Sequence, residues 1–144
     1  MGEKTILLVE DNEADEELTT RALKKSGVPL NVIVARDGVA ALDYLYVSDP
    51  GSLPDLVLLD LKLPKLGGLD VLASLRSKPL ARTVPVVVLS SSTKTEDVHV
   101  AYRLGCNSYL EKGSDFSRFL EAAQVLVRYW LVLNVAPGEE PDGW

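Results

Sequence analysis

The chain has 144 residues, enough for one domain, and its 47% hydrophobic and 25% charged residues mark an ordinary folded protein rather than a disordered or fibrous chain. A net charge of -6 argues against nonspecific binding to nucleic acid or to an anionic membrane surface. The single cysteine, Cys106, rules out an intrachain disulfide, fits a reducing cytoplasm and is expected to pack as a small core residue. Met1-Gly2-Glu3-Lys4 carries no signal-peptide pattern, and no apolar run reaches the ~18 residues of a membrane helix, so a cytoplasmic protein with no membrane segment is expected.

Taken in order, Thr5 to Val9 reads as a buried strand that ends in Glu10 and Asp11. Asn12 can cap a helix with Asp15 at its third position; Leu18, Ala22 and Leu23 give its apolar face, and Ser26-Gly27 ends it. Asn31 to Ala35 is a second strand. Asp37 caps a second helix with Val39, Leu42, Leu45 and Tyr46 on its face, and the turn-rich run Ser48-Asp49-Pro50-Gly51-Ser52 follows. The central stretch is Asp55 to Pro64. Its Leu/Val run, bounded by Pro54 and Pro64, reads as a strand buried on both faces that delivers Asp60 at its C-terminal end. Gly67-Gly68 precedes a short helix holding Leu69, Val71, Leu72 and Leu75, and a polar connection runs from Ser77 to Pro85. Val86 to Leu89 is a fourth strand ending in Ser90-Ser91-Ser92. Thr93 with Glu96 forms a capping box for a helix through Leu104, and Gly105 stops it. Asn107 to Leu110 is a fifth strand, followed by Lys112-Gly113. Ser114 caps a last helix that reaches about Leu133, and residues 134–144 read as a tail after a domain over 1–133.

Five strand–helix units in strict alternation imply an α/β fold: a doubly wound (βα)5 three-layer sandwich with helices on both faces of a parallel sheet. Strand order 2-1-3-4-5 is one of the two common solutions, and it sets strands 1 and 3 side by side at the switch point. Glu10, Asp11 and Asp60 would then share one crevice with Lys112 beside them. Any one of these charges alone reads as a solvated loop residue; four at the ends of three strands read as one pocket. Crowded carboxylates repel, and a hard divalent cation such as Mg²⁺ resolves the repulsion with oxygen ligands. Asp60 is then a nucleophile able to attack phosphorus, with Mg²⁺ and Lys112 neutralising the transferred group and the Ser90 hydroxyl close enough to donate to it.

Leu8-Val9-Glu10-Asp11-Asn12, Leu59-Asp60 with Pro64 and Gly68, Val88-Leu89-Ser90, and Tyr109-Leu110-Glu111-Lys112 together resemble the response-regulator receiver domains of two-component signalling, over about residues 5 to 133. The resemblance implies the CheY-like, flavodoxin-like fold. It implies that Asp60 accepts phosphate from a histidine kinase, and that Glu10 and Asp11 hold Mg²⁺ with the Lys62 backbone carbonyl completing the protein ligands. Ser90 is implied as the switch hydroxyl, Tyr109 as the switch aromatic and Lys112 as the pocket lysine. Asn12-Glu13-Ala14-Asp15 and the Pro85-to-Ser90 run are most similar to single-domain regulators that partner bacterial phytochromes. Two departures stand out. Gly113 follows the lysine where the family usually has proline, which leaves the course of that loop open, and Leu63 stands before Pro64 where methionine is common.

Alternatives on the same architecture fare worse. A flavin- or nucleotide-binding flavodoxin-like module needs a Ser/Thr/Gly-rich loop after strand 1, and Glu10-Asp11-Asn12-Glu13 would repel a phosphate. An aspartyl-phosphate hydrolase wants a second acid two residues after the nucleophile, where Lys62 stands. A pseudo-receiver would lack an acid or the lysine. The chain is therefore expected to be no turnover enzyme beyond self-phosphorylation and slow autodephosphorylation. With no effector domain expected, output is through protein contacts or a phosphorelay shuttle. His99 is assigned no role, and Lys24-Lys25 reads as a wet helix face. The last helix carries two apolar stripes: Phe116, Phe119, Leu120, Ala123, Val127, Trp130 and Leu131, and opposite them Ala122, Val125, Leu126, Tyr129, Val132 and Leu133. One can pack on the sheet. The other predicts a homodimer through helix 5 and the helix 4–strand 5–helix 5 face, unless Trp144 or Pro137 folds over it.

Overall fold

The computed structural model describes residues 3–46, 49–113 and 115–137. Its elements alternate: β1 (Lys4–Val9), α1 (Glu13–Lys24), β2 (Leu30–Ala35), α2 (Gly38–Leu45), β3 (Leu56–Asp60), α3 (Gly68–Arg76), β4 (Val86–Ser90), α4 (Thr95–Arg103), β5 (Ser108–Glu111) and α5 (Phe116–Arg128). All four strand pairings are parallel, and the order is β2-β1-β3-β4-β5. This is the doubly wound α/β sandwich that the alternation predicts.

Successive strand residues face opposite ways, so two cores form. Leu7, Val9, Val57, Leu59, Val86 and Val88 pack under α2, α3 and α4 with Leu42, Val71 and Leu75. Ile6, Leu8, Leu56, Leu58, Val87 and Leu89 pack under α1 and α5 with Leu23, Ala123 and Val127. Every residue of β3 and β4 is buried, as expected of central strands covered on both faces. Each buried Leu or Val contributes roughly 1.5–3 kcal/mol relative to exposure, and that is what fixes the strand ends where the site lies.

Glycine allows two close approaches around β3. A Cβ on Gly68 would lie 2.3 Å from the Asp60 carbonyl oxygen, and one on Gly38 would lie 2.1 Å from that of Leu66. Gly68 therefore lets α3 start directly against the end of β3. At the opposite edge, the Arg76 guanidinium donates to the carbonyls of Gly105, Arg82 and Val84 and to Asn107 Oδ1. It ties the entry to β4 and β5 to the end of α3.

Several local expectations need correction. Leu18 is 41% exposed and Val39 46%, so the buried face of α1 is Thr19, Ala22 and Leu23 and that of α2 is Gly38, Ala41, Leu42 and Leu45. Tyr46 lies beyond α2 and is exposed. Helix α4 starts at Thr95 with no side-chain cap, so Thr93 and Glu96 form no capping box. Ser114 lies outside the described residues, and the side chain that caps α5 is Asp115, which accepts from the backbone N–H groups of Ser117 and Arg118. Past Arg128 the helix widens into a π turn over Tyr129–Leu133, closed by Asn134 N–H donating to the Tyr129 carbonyl. No described helix is long and apolar enough to cross a membrane.

Candidate functional site

The β1–β3 register runs from Ile6 opposite Leu56 to Val9 opposite Leu59, so Glu10 and Asp60 leave the sheet side by side. Glu10 is anchored by its N–H donating to the Ala35 carbonyl (3.0 Å) and is 1% exposed; Asp60 is 7% exposed. Carboxylate oxygens of Glu10, Asp11 and Asp60 lie within 4.8 Å of one another, with Asp11 on the solvent side. The sequence places these three acids together, and the structure does so too.

Lys112 enters from β5. Its N–H donates to the Ser90 carbonyl (2.9 Å), which hangs it on the end of β4. Its ammonium donates to Glu10 Oε1 (2.6 Å), Asp15 Oδ2 (3.0 Å) and Asp60 Oδ2 (3.2 Å). Asp60 Oδ1 accepts from Lys62 N–H at 3.3 Å, and Glu10 Oε2 from Asn12 N–H at 3.2 Å. Burial pushes the Glu10 carboxyl up to about 7, the neighbouring Asp60 adding to the effect and the Lys112 hydrogen bond opposing it. Burial by itself would lower Lys112, but its bonds to Glu10 and Asp15 and the charge of Asp60 outweigh that and hold it above the ordinary lysine value. One ammonium bonds three acids and a fourth, Asp11, lies beside two of them, so the pocket is short of positive charge.

That donor set suits a hard divalent cation. The donors are all carboxylate oxygens, they converge on one point, and two of the three side chains are buried where unbalanced charge is costly.

Ser90 is 2% exposed at the end of β4, next to Asp60's strand. Its Oγ accepts from Ser92 N–H (3.1 Å), and the Ser92 carbonyl accepts from the Tyr109 hydroxyl (2.8 Å). Ser92 Oγ in turn donates to Asp97 on α4 and accepts from Lys94 N–H (3.3 Å). Ser92 thus joins the two residues marked as switch elements to the first turn of α4, a link the sequence did not reveal. Gly113, at φ +57, holds a backbone conformation closed to proline. Cys106 is buried, which raises its thiol pKa, and packs in the core as expected. His99 is exposed on α4.

Among the described residues, the pocket contact that the sequence did not reveal is Asp15. Its position explained it as a helix-start acid, and its N–H does donate to Asn12 Oδ1 (2.9 Å). Its carboxylate, however, turns to Lys112.

Residues 6–124 match the family described as response regulator receiver domain. The chain is 44% identical over 135 residues to a probable methanogenesis regulatory protein, FilR2, of Methanothrix harundinacea, covering 92% of this chain and 87% of that protein. It is 40% identical to response regulator Rcp1 of Synechocystis, covering 93% of each. An Mn(2+)-bound structure of Rcp1 superposes with a TM-score of 0.83 over 94% of this chain and 99% of that one, at 38% identity. The phosphorylated cyanobacterial phytochrome response regulator RcpA superposes with a TM-score of 0.86 at 39% identity, covering 95% of this chain and 100% of that one.

Proposed function

The chain belongs to the response regulator receiver domain family of two-component signalling, and on that premise we propose that Asp60 accepts a phosphoryl group from a histidine kinase. The observation that supports this best is the Lys112 ammonium bonded to both Glu10 and Asp60 inside the cluster of three acids. Glu10, Asp11 and Asp60 hold Mg²⁺ in this reading, with the Lys62 backbone carbonyl. The ion supplies charge neutralisation for the acids and for the phosphoryl oxygens.

A carboxylate oxygen of Asp60 forms the new bond to phosphorus as the bond to the kinase imidazole breaks, and the imidazole keeps the electron pair. Lys112 donates to the group as its charge shifts onto the peripheral oxygens. The Ser90 hydroxyl donates to a phosphoryl oxygen and moves inward, carrying the Ser92–Tyr109 link with it. The group ends on the protein itself and leaves by slow hydrolysis, so the chain acts as a stoichiometric carrier.

The likeness to RcpA, a cyanobacterial phytochrome response regulator, supports a bacterial phytochrome as the kinase. The receiver unit spans 1–133, with 134–144 as a tail. Signalling runs through the face of α4, β5 and α5, and a second copy of the chain covers the outer stripe of α5.

Phosphotransfer profiling tests the central assignment. A purified cognate histidine kinase, autophosphorylated with labelled ATP, should pass its label to the wild-type chain in Mg²⁺. Asp60→Asn should receive none. Equal labelling of Asp60→Asn would contradict the assignment.

A further inference from the structure

We infer that Asp15 is a positioning residue for Lys112, the one carboxylate on its ammonium that stands outside the acid cluster and so keeps holding it when Glu10 and Asp60 are engaged. This rests on the receiver reading of the pocket.

A lysine ammonium has three N–H donors, and here all three are used, on Glu10, Asp15 and Asp60. Glu10 and Asp60 belong to the converging acid set; Asp15 does not. A cation draws on the lone pairs of Glu10, and phosphorylation turns the Asp60 carboxylate into an acyl phosphate. Two of the three anchors therefore weaken at the moment the ammonium must face the phosphoryl group. The charge of Asp15 remains.

Its placement is fixed from the sequence upward. Asp15 sits in the first turn of α1, its N–H held by Asn12 Oδ1, and the Asn12 N–H is in turn held by Glu10 Oε2. The backbone beyond Lys112 gives little restraint, since Gly113 is at φ +57 with nothing within 4 Å of where a Cβ would stand. A cleft of about 90 Å³ opens beside the ammonium between α1 and the start of α5, lined by Leu18, Phe116 and Phe119 among others. Without Asp15 the ammonium has space to swing into, away from Asp60. The Asp15 side chain is 41% exposed and that of Lys112 16%, so solvent screens this contact more than those to Glu10 and Asp60, and the effect is correspondingly moderate.

The experiment uses the full chain with Asp15→Ala, Asp15→Glu and, as control, Glu13→Ala, which removes another acid from the same turn. The first readout is the ¹⁵Nζ–H signal of Lys112 in metal-free protein. It should be sharp and slowly exchanging in wild type and Glu13→Ala, and broadened or lost in Asp15→Ala. The second is beryllofluoride affinity in Mg²⁺. It should fall about three- to tenfold in Asp15→Ala, recover at least in part in Asp15→Glu, and hold in Glu13→Ala. An unchanged Lys112 signal in Asp15→Ala would overturn the proposal. So would a Glu13→Ala loss equal to that of Asp15→Ala, which would mean that the helix start as a whole is responsible. If wild type and Asp60→Asn bind beryllofluoride equally poorly, the receiver reading fails instead, and the Lys112 signal still decides the role of Asp15.

Discussion

Three carboxylates, Glu10, Asp15 and Asp60, bond one ammonium with Asp11 beside Glu10 and Asp60, and the burial of Glu10 sets how the apo pocket responds to pH. Glu10 is raised from 4.5 to about 7, chiefly by burial. A carboxyl raised on folding binds its proton more tightly in the native state, so its contribution is fully present below the unfolded value and fades as pH climbs through the folded one. Lys112, raised above its ordinary 10.5, stays charged throughout that window and adds no slope. Urea unfolding of metal-free protein should therefore show wild type losing stability relative to Glu10→Gln between about pH 4.5 and pH 7. A wild-type curve that gains on Glu10→Gln over that range would refute the burial argument. The acids of the cluster and the lysine were legible in the sequence because each ends a strand, and strand order alone decides which ends meet. Asp15 was not legible as a pocket residue, because an acid at the third position of a helix already has a sufficient local explanation.

Helix starts show where local rules suffice and where tertiary contacts override them. Asn12 and Asp37 cap as their patterns require, each accepting from a backbone N–H three residues on. Thr93 and Glu96 have an equally good pattern, yet α4 begins later, because Ser92 is already committed to Ser90, Tyr109 and Asp97. No sequence window spans that network, since Tyr109 is 17 positions from Ser92. In the proposed switch the β4–α4 loop is therefore the element that would carry a shift of Ser90 to Tyr109. Ser90→Ala removes the acceptor for Ser92 N–H and, in the proposed switch, the donor for a phosphoryl oxygen. Beryllofluoride with Mg²⁺ should shift the Tyr109 ring signals in wild type and leave them nearly still in Ser90→Ala, while Asp60 still takes up the adduct. Equal shifts in both proteins would rule this route out.

Over the whole molecule, the alternation of apolar runs and caps narrows the topology to a few arrangements, because parallel strands cross over right-handed, and the observed order β2-β1-β3-β4-β5 is one of the two common ones. Two central strands buried on both faces then require helices above and below. What the alternation could not show is how the second stripe of α5 divides. Leu126 packs against the core, whereas Val125 (64%), Tyr129 (48%), Val132 (55%) and Leu133 (61%) stand exposed, with Tyr129 edge-on to Trp130. Pro137 is exposed, and Trp144 lies outside the described residues. Such a stripe, on the order of several hundred Å², is a patch that the proposed twofold pairing would cover with itself. Wild type should scatter light as a dimer at micromolar concentration, and Val125→Glu with Tyr129→Arg should run as a monomer with unchanged helicity. A monomeric wild type, with and without beryllofluoride, would exclude homodimerisation through α5. Transfer of the phosphoryl group to Asp60, in the pocket it shares with Glu10, Asp11 and Lys112, is checked by borohydride trapping. Protein treated with acetyl phosphate and Mg²⁺ is reduced, digested and mapped by mass spectrometry, which converts an aspartyl phosphate to homoserine. Homoserine is expected at position 60 alone, and none when EDTA replaces Mg²⁺; homoserine at position 11 or 55 instead, or undiminished trapping at 60 in EDTA, would overturn the assignment of Asp60.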